Sequence, residues 1–321
     1  MKAIFIEKNG GVEALRYAEL PTPQAAAGQV LVKIVAAGVN FIDTYHREGL
    51  YPLPFPAVLG MEGAGTVAAL GEGVGGFRIG DHVAWAMSRG SYAEYAAVPA
   101  QFLVKVPAGL DLRQAAAAML QGMTAHYLTH STFPIEPGNT AVVHAAAGGT
   151  GRLITQMVKI RGGRVIGTAG TKEKADIARQ AGADEVLLYK DVDWVADVKR
   201  LTNGKGVDVV YDGVGQATMM GGLDCLRPRG MMALFGQSSG PVKSVDPAWL
   251  QNKGSLFLTR PTLVHYATPD EIKWRSSDVL GWILNKKVTL MIGGEYPLQD
   301  AARAQTDLES RKTTGKLLLQ V

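Results

Sequence analysis

A chain of 321 residues, 47% hydrophobic and 19% charged, has the balance of a folded protein with two sizeable cores, which excludes a disordered chain. Its net charge of +4 is mild and its basic residues are scattered, so nucleic acid is not expected as a partner. No window offers the roughly 20 uncharged apolar residues of a membrane span, and the single Cys225 excludes an internal disulfide or a cysteine-rich zinc site.

The chain begins Met1-Lys-Ala-Ile-Phe-Ile-Glu7, with charges inside a short apolar run, which reads as a cytoplasmic protein rather than an exported one. To about residue 100 the pattern is of short strands, Lys2–Glu7, Leu15–Leu20, Val30–Ala37, Ala64–Leu70 and His82–Trp85. Glycine and proline turns punctuate them at the spacing of a partly closed β-barrel. From Leu112 to Leu128 the texture becomes alanine-rich and helical, and two helices broken at Gln121-Gly122 are expected.

Thr140–His144 suits a buried parallel strand, and Ala145, Gly148 and Gly151 follow at intervals of three. That spacing marks a turn bringing backbone N–H groups and a helix N-terminus to a pyrophosphate, although alanine holds the first glycine place. A lone triplet also fits an ordinary strand–helix turn. Regular alternation to residue 260, with strands near 140–144, 164–169, 185–189, 207–211, 230–235 and 255–259, predicts a six-stranded parallel doubly wound sheet. Thr171 is a candidate N-cap, Gly182 a helix stop, and Cys225 a buried structural thiol at the end of a helical run. Thr268–Lys286 then reads as a helix, followed by Val288–Ile292, a helix over Pro297–Arg311 and a last strand over Lys316–Gln320.

Barrel, nucleotide domain and return to the barrel, together with Gly60-Met-Glu-Gly-Ala-Gly65, Gly80-Asp-His-Val83 and Ala145-Ala-Ala-Gly-Gly-Thr-Gly151, resemble the medium-chain dehydrogenase/reductase superfamily. Asn40-Phe-Ile-Asp-Thr-Tyr45 and Gly254-Ser-Leu-Phe-Leu-Thr-Arg-Pro261 are similar to its NADPH:quinone oxidoreductase group, related to zeta-crystallin. The resemblance implies an α/β protein. A GroES-like, partly open β-barrel catalytic domain would span residues 1–122 and 261–321, and a Rossmann domain 123–260.

Zinc enzymes of the superfamily carry Gly-His-Glu where this chain reads Gly60-Met61-Glu62, and their cysteines are missing. No metal is expected. His126 and His130, at helical spacing without a third ligand, read as an incidental helix face. Gly236-Gln-Ser-Ser-Gly240 imitates a hydrolase nucleophile turn, but Pro241 and Pro247 stand where its helix belongs, so a cofactor-lining loop is expected instead.

The region after the second nucleotide strand, Thr168-Ala-Gly-Thr-Lys-Glu-Lys174, has no carboxylate at the strand end. An acid there would bind the ribose 2′-OH of NAD, whereas cations suit a 2′-phosphate, so NADPH is favoured. The alternative is that Lys172 and Lys174 decorate a solvated face. The resemblance puts Gly170, Lys174, Tyr189 and Arg311 around the adenosine phosphate. It puts Phe41, Ile42, Asp43, Thr44, Thr124, Ala147, Gly148, Gly149, Thr150, Gly213, Phe235, Gly236, Gln237, Ser238, Ser239, Pro261, Thr262 and Leu263 along the rest of the cofactor.

It also implies that Asn40, Tyr45, Tyr51 and Arg260 face the substrate in a cleft between domains, Asn40 and Arg260 polarising a carbonyl and the tyrosines flanking the ring. Asn40 can equally cap the segment after it, and Asp43 reads as a turn or salt-bridge residue. Arg152, a cation in a helix first turn, is expected to meet a carboxylate or the cofactor phosphates. The implied activity is quinone reduction. A rival is reduction of an enone or alkenal C=C bond, and a rival of another class is an NADPH-binding crystallin-like or RNA-binding protein. A homodimer is implied by resemblance alone.

Overall fold

The computed structural model describes residues 1–189 and 192–321. Two compact units emerge, Met1–Met123 with Ala267–Val321, and Thr124–Tyr266. The sequence reading put the boundaries after 122 and 260. Here Pro261–Tyr266 group with the second unit, where the ring of Tyr266 stacks on Tyr127 at 4.5 Å.

The first unit opens with β1 (Lys2–Ile6), flanked antiparallel by β2 (Arg16–Glu19) and, after β3 (Gln29–Val39) and α1 (Phe41–Glu48), by β4 (Ala57–Val58). Then come β5 (Glu62–Leu70), β6 (His82–Ala86), β7 (Tyr95–Pro99) and β8 (Leu103–Lys105). Along β3, Val30, Val32 and Ile34 are buried while Lys33 and Val35 are exposed, the two-residue alternation of a strand with one face on a core. Sequence periodicity missed α1, β4, β7 and β8. The strands are short, and α1 turns polar residues, Asp43, Thr44, His46 and Arg47, into the protein, so its apolar residues do not mark a buried face.

The helix α2 (Leu112–Tyr127) runs unbroken through Gln121-Gly122, where two helices were expected. Gly122 serves packing instead: a Cβ there would stand 2.6 Å from Cγ1 of Val279. A π-helical stretch, Leu128–Thr132, continues the run. The hydroxyl of Tyr211 donates toward the carbonyls of Leu128 and Phe133, at 3.4 and 3.2 Å, taking carbonyl oxygens at the end of the helix.

In the second unit β9 (Thr140–Val143), α3 (Gly149–Ile160), β10 (Arg164–Ala169), α4 (Lys172–Gln180), β11 (Glu185–Leu188), α5 (Trp194–Leu201), β12 (Val207–Asp212), α6 (Met219–Cys225), β13 (Leu226–Leu234), α7 (Pro247–Asn252) and β14 (Phe257–Thr259) alternate. The six strands are parallel in the order β11-β10-β9-β12-β13-β14. This is the Rossmann order, and it places a ligand crevice at the C-terminal strand ends where the winding reverses, between β9 and β12. Val142, Ile166, Val210, Leu223, Cys225 and Met232 share one core, and burial pushes the Cys225 thiol up to about 12, as expected of a structural cysteine.

The chain then returns to the first unit through α8 (Pro269–Leu284), β15 (Ile292–Pro297), α9 (Ala301–Glu309) and β16 (Lys316–Gln320). β16 lies antiparallel on β3, completing a sheet ordered β15-β16-β3-β5-β6-β8, with β7 also on β3. This is the partly open GroES-like barrel. The expected Pro297–Arg311 helix is a 3₁₀ turn at Leu298–Asp300 followed by α9, which ends at Glu309. Among the described residues, no helix is long and apolar enough to cross a membrane.

Candidate active site

At the end of β9 the chain makes a tight turn in which Ala145 is left-handed, with φ +50°, the conformation for which glycine is the usual residue. Gly148 N–H donates to the Ala145 carbonyl at 2.8 Å, and Ala146 N–H to the Thr168 carbonyl at 3.1 Å. A Cβ on Gly151 would stand 2.3 Å from the Ala145 oxygen, so the last glycine of the triplet serves close packing of helix on turn. Gly148 is the N-cap of α3 and offers no side chain to the first-turn amides. Ala147, Gly149 and Thr150 therefore present backbone donors, and Gly148 caps the positive end of a helix dipole, a fit for an anionic pyrophosphate.

Arg152 does not meet the expected carboxylate. Its guanidinium is buried and donates to the Ile177 carbonyl at 3.2 Å, not to a carboxylate, and its Nε is unpartnered. Burial holds it below the ordinary arginine value.

The next strand end gathers three of the residues expected at the adenosine phosphate. A Cβ on Gly170 would lie 3.2 Å from the hydroxyl of Tyr189, and Lys174 sits in the first turn of α4, its backbone N–H on the Thr171 hydroxyl at 3.3 Å. Thr171 is the predicted N-cap. In the same turn, Glu173 is held below the usual carboxylate range by its own backbone N–H and by Thr171. Its charge is thus occupied in capping the helix. Arg311, left-handed at φ +57°, follows α9 in the other unit.

Beyond β12 and β13 two glycines meet: a Cβ on Gly236 would stand 2.5 Å from the Gly213 carbonyl oxygen, and one on Gly213 would strike the Phe235 ring at 2.9 Å. Asp212, buried, accepts from the N–H groups of Val214 and Gly215 and from the Thr218 hydroxyl at 2.7 Å, which shapes this loop. Ser238 N–H donates to the Gly213 carbonyl. Ser239 donates to the Val214 carbonyl at 2.7 Å and accepts from Ala217 N–H, so Gly236–Gly240, which includes Gln237, is a hydrogen-bonded loop rather than a nucleophile turn. Thr124 begins this unit. Pro261 and Leu263 are buried and Thr262 exposed beside Arg260, whose guanidinium donates to the Leu234 carbonyl at 3.0 Å. Sequence reasoning passed over Asp212 and also His144, buried with Nδ1 3.0 Å from the Thr168 hydroxyl. Both lie at strand ends that the pattern marked only as apolar.

In the first unit the expected residues ride on α1. Eight residues make a marginal helix alone, and tertiary bonds hold this one. Asn40 N–H donates to Oδ2 of Asp43 at 2.9 Å, and the Tyr92 hydroxyl donates to the same oxygen at 2.9 Å. Arg47, buried, reaches Gln305 at 2.6 Å and Glu309 at 2.8 Å, while Asn9 donates to the carbonyls of His46 and Arg47. Asp43 is thus neither a turn residue nor half of a salt bridge. It is fully buried, its Oδ1 has no partner, and burial pushes its carboxyl up to about 7.

Tyr45 and Tyr51 meet edge to face at 5.7 Å, Phe41 lies 6.3 Å from Tyr45, and Tyr51 is 38% exposed. These rings form an accessible aromatic surface. Ile42 is half-buried, whereas Thr44 is buried with its hydroxyl on the Phe41 carbonyl at 2.9 Å. Asn40 is 4% exposed, and its amide donates to Glu62 at 2.9 Å and to the Gly38 carbonyl at 3.3 Å. Both amide hydrogens are committed inside the protein, so Asn40 holds structure here rather than presenting a donor.

Zinc does not fit. Oε1 of Glu62 accepts from the Leu120 N–H at 2.6 Å, and its Oε2 is shared by Asn40 and the buried ammonium of Lys316. A cation already neutralises the carboxylate beside Met61. Cys225 belongs to the other core, the rings of His126 and His130 stack at 4.0 Å, and among the described residues no three metal-ligating side chains converge.

Residues 26–108 match the alcohol dehydrogenase GroES-like domain and residues 149–277 the zinc-binding dehydrogenase family. The chain is 43% identical to a quinone oxidoreductase of Pseudomonas aeruginosa, with 99% of each chain covered. It is 40% identical to a 2-haloacrylate reductase of a Burkholderia species over 99% of this chain and 98% of the relative. Among solved structures it superposes on the Escherichia coli quinone oxidoreductase in complex with NADPH with a TM-score of 0.98, at 41% identity and full coverage of both.

Proposed function

This chain belongs to the medium-chain dehydrogenase/reductase superfamily, in its quinone oxidoreductase group, and from that premise we propose that it is a zinc-independent, NADPH-dependent reductase of quinones. The observation that carries the cofactor choice is the end of β10, where Gly170, Tyr189 and Lys174 gather and the nearest acid, Glu173, is turned back onto its own helix. A 2′-phosphate meets a cation there, and a bare 2′-OH finds no carboxylate. The glycine turn before α3 takes the pyrophosphate.

When bound, NADPH supplies the hydride, and the protein's part is binding, orientation and charge stabilisation. Tyr45 and Tyr51 flank a planar acceptor with their rings and donate hydrogen bonds as charge develops on its oxygen, with Arg260 as the third donor. Asn40 acts from behind, by holding the start of α1. Phe41, Ile42, Asp43, Thr44, Gly213, Phe235, Gly236, Gln237, Ser238, Ser239, Pro261, Thr262 and Leu263 complete the cofactor set in this reading, which also assigns Arg311 to the phosphate. Cytoplasmic location and a homodimeric assembly belong to the same reading.

The likeness to a 2-haloacrylate reductase favours a second reading, in which the acceptor is an activated C=C bond. Steady-state assays with NADPH and 1,4-benzoquinone, 9,10-phenanthrenequinone and an alkenal separate the two by kcat/KM. Quinone turnover carries the proposal. A clear preference for the alkenal transfers it to the second reading, and no turnover with any acceptor ends both.

A further inference from the structure

Lys316 and Glu62 form an ion pair inside the first unit, 2% and 0% exposed. The Lys316 ammonium also donates to Oδ1 of Asn40 at 2.6 Å, and Nδ2 of Asn40 donates to Oε2 of Glu62 at 2.9 Å. Ammonium, amide and carboxylate thus close a three-membered ring. An ammonium can only donate and a carboxylate can only accept, so the amide between them has one permitted orientation.

The surroundings are built around this pair. Gly38 has no side chain where one would collide: a Cβ would stand 2.1 Å from Oε2 of Glu62 and 2.8 Å from Cε of Lys316. The Leu120 N–H binds the far oxygen of Glu62. Ends of β3, β5 and β16 and the middle of α2 therefore converge on one amide. A buried ion pair is weak evidence for stability, since a neutral pair of similar volume often packs as well. What the charges add here is a directional demand on Asn40, which caps α1 five residues before Tyr45.

We propose that Lys316 and Glu62 are positioning residues that act on the reaction through Asn40, locking its amide and with it the first turn of α1. The inference rests on the oxidoreductase reading above. Removing one charge leaves the other buried alone and threatens the fold, so the test variant is the neutral pair Lys316→Met with Glu62→Gln. Gly38→Ala, which keeps both charges and displaces them, is the second variant.

Two readouts are taken: hydrogen exchange of the Asn40 side-chain amide by NMR, and kcat and KM with NADPH and 1,4-benzoquinone. In either variant the amide should exchange faster and kcat fall about tenfold to a hundredfold, with KM for NADPH held within about twofold. Asn40→Ala should lower kcat in the wild type and lower it no further in the neutral-pair background. Additive losses, or wild-type kcat in a folded variant, overturn the proposal. Should the wild type reduce no quinone, the oxidoreductase reading falls by itself. The exchange readout then decides the positioning: a protected amide in the neutral pair overturns it, and a deprotected one supports it.

Discussion

The side chain that Gly151 lacks would occupy the space of the Ala145 carbonyl oxygen, which lies 2.3 Å from where its Cβ would be. The spacing of three between Ala145, Gly148 and Gly151 is therefore a steric relation as well as a signature. Gly151→Ala forces helix and turn apart, and a loss of about 1–3 kcal/mol is expected from overpacking, with weaker NADPH binding. Ala145→Gly relieves a left-handed backbone and should change stability by no more than about 1 kcal/mol while NADPH binding persists. Urea melts and NADPH titrations of both variants check this. An Ala145→Gly variant more damaged than Gly151→Ala would remove the steric account.

Arg152 offers a test of an unpaired buried cation. Among the described residues its guanidinium bonds the Ile177 carbonyl, which Ala181 N–H also reaches at 3.2 Å, so removing the guanidinium orphans no acceptor. Arg152→Leu should raise stability by about 1–2 kcal/mol and leave NADPH affinity unchanged. A loss of NADPH affinity would instead place the guanidinium on the cofactor phosphates.

The cofactor preference is tested at Lys174 and Arg311. If both hold the 2′-phosphate as proposed, replacing either by alanine removes a charge-assisted hydrogen bond worth roughly 1.5–3 kcal/mol, or about tenfold to a hundredfold in NADPH affinity. NADH, lacking the phosphate, should bind almost unchanged, and added salt should weaken NADPH binding more than NADH binding. Dissociation constants for both cofactors at two ionic strengths decide it. Equal losses for the two would point to damage at a shared site.

Two buried groups give the stability of the fold opposed pH dependences. Burial pushes the Asp43 carboxyl up to about 7 from 3.8. Between those values the folded chain keeps a proton that the unfolded chain has released, so this group's contribution falls as pH rises and levels above about 7. Burial and the charge of Arg89 push His46 down from 6.5 to about 4. There the unfolded chain binds the extra proton, so stability rises with pH across that window. Asp43→Asn removes the first slope and keeps the second. Urea midpoints between about pH 5 and 8 should show the variant gaining on the wild type by about 1.4 kcal/mol per pH unit up to about 7 and by nothing above it. Parallel curves would mean that Asp43 titrates normally.

The sequence alone determined the parallel sheet, because each buried strand is a short apolar run closed by a glycine turn and followed by a helix, a pattern fixed by local period and turn chemistry. It also determined the glycine turn at Ala145–Gly151, the N-cap at Thr171 and the absence of an acid at the end of β10, since each lies within a few consecutive residues. Tertiary structure decided what depends on distant partners. Gly122 reads as a helix break, yet it stays helical because Val279 needs its space. The helix α1 is hard to read because the face it buries is polar, Asp43 on Tyr92 and Arg47 on Gln305 and Glu309. Asn40 reads as a cap or a substrate donor; it is the N-cap of α1, and what turns its amide inward is Lys316, 276 positions along the chain. Local propensity and spacing carry no information about a charge brought that far by sheet pairing; only the register of β16 on β3 places the ammonium at the amide.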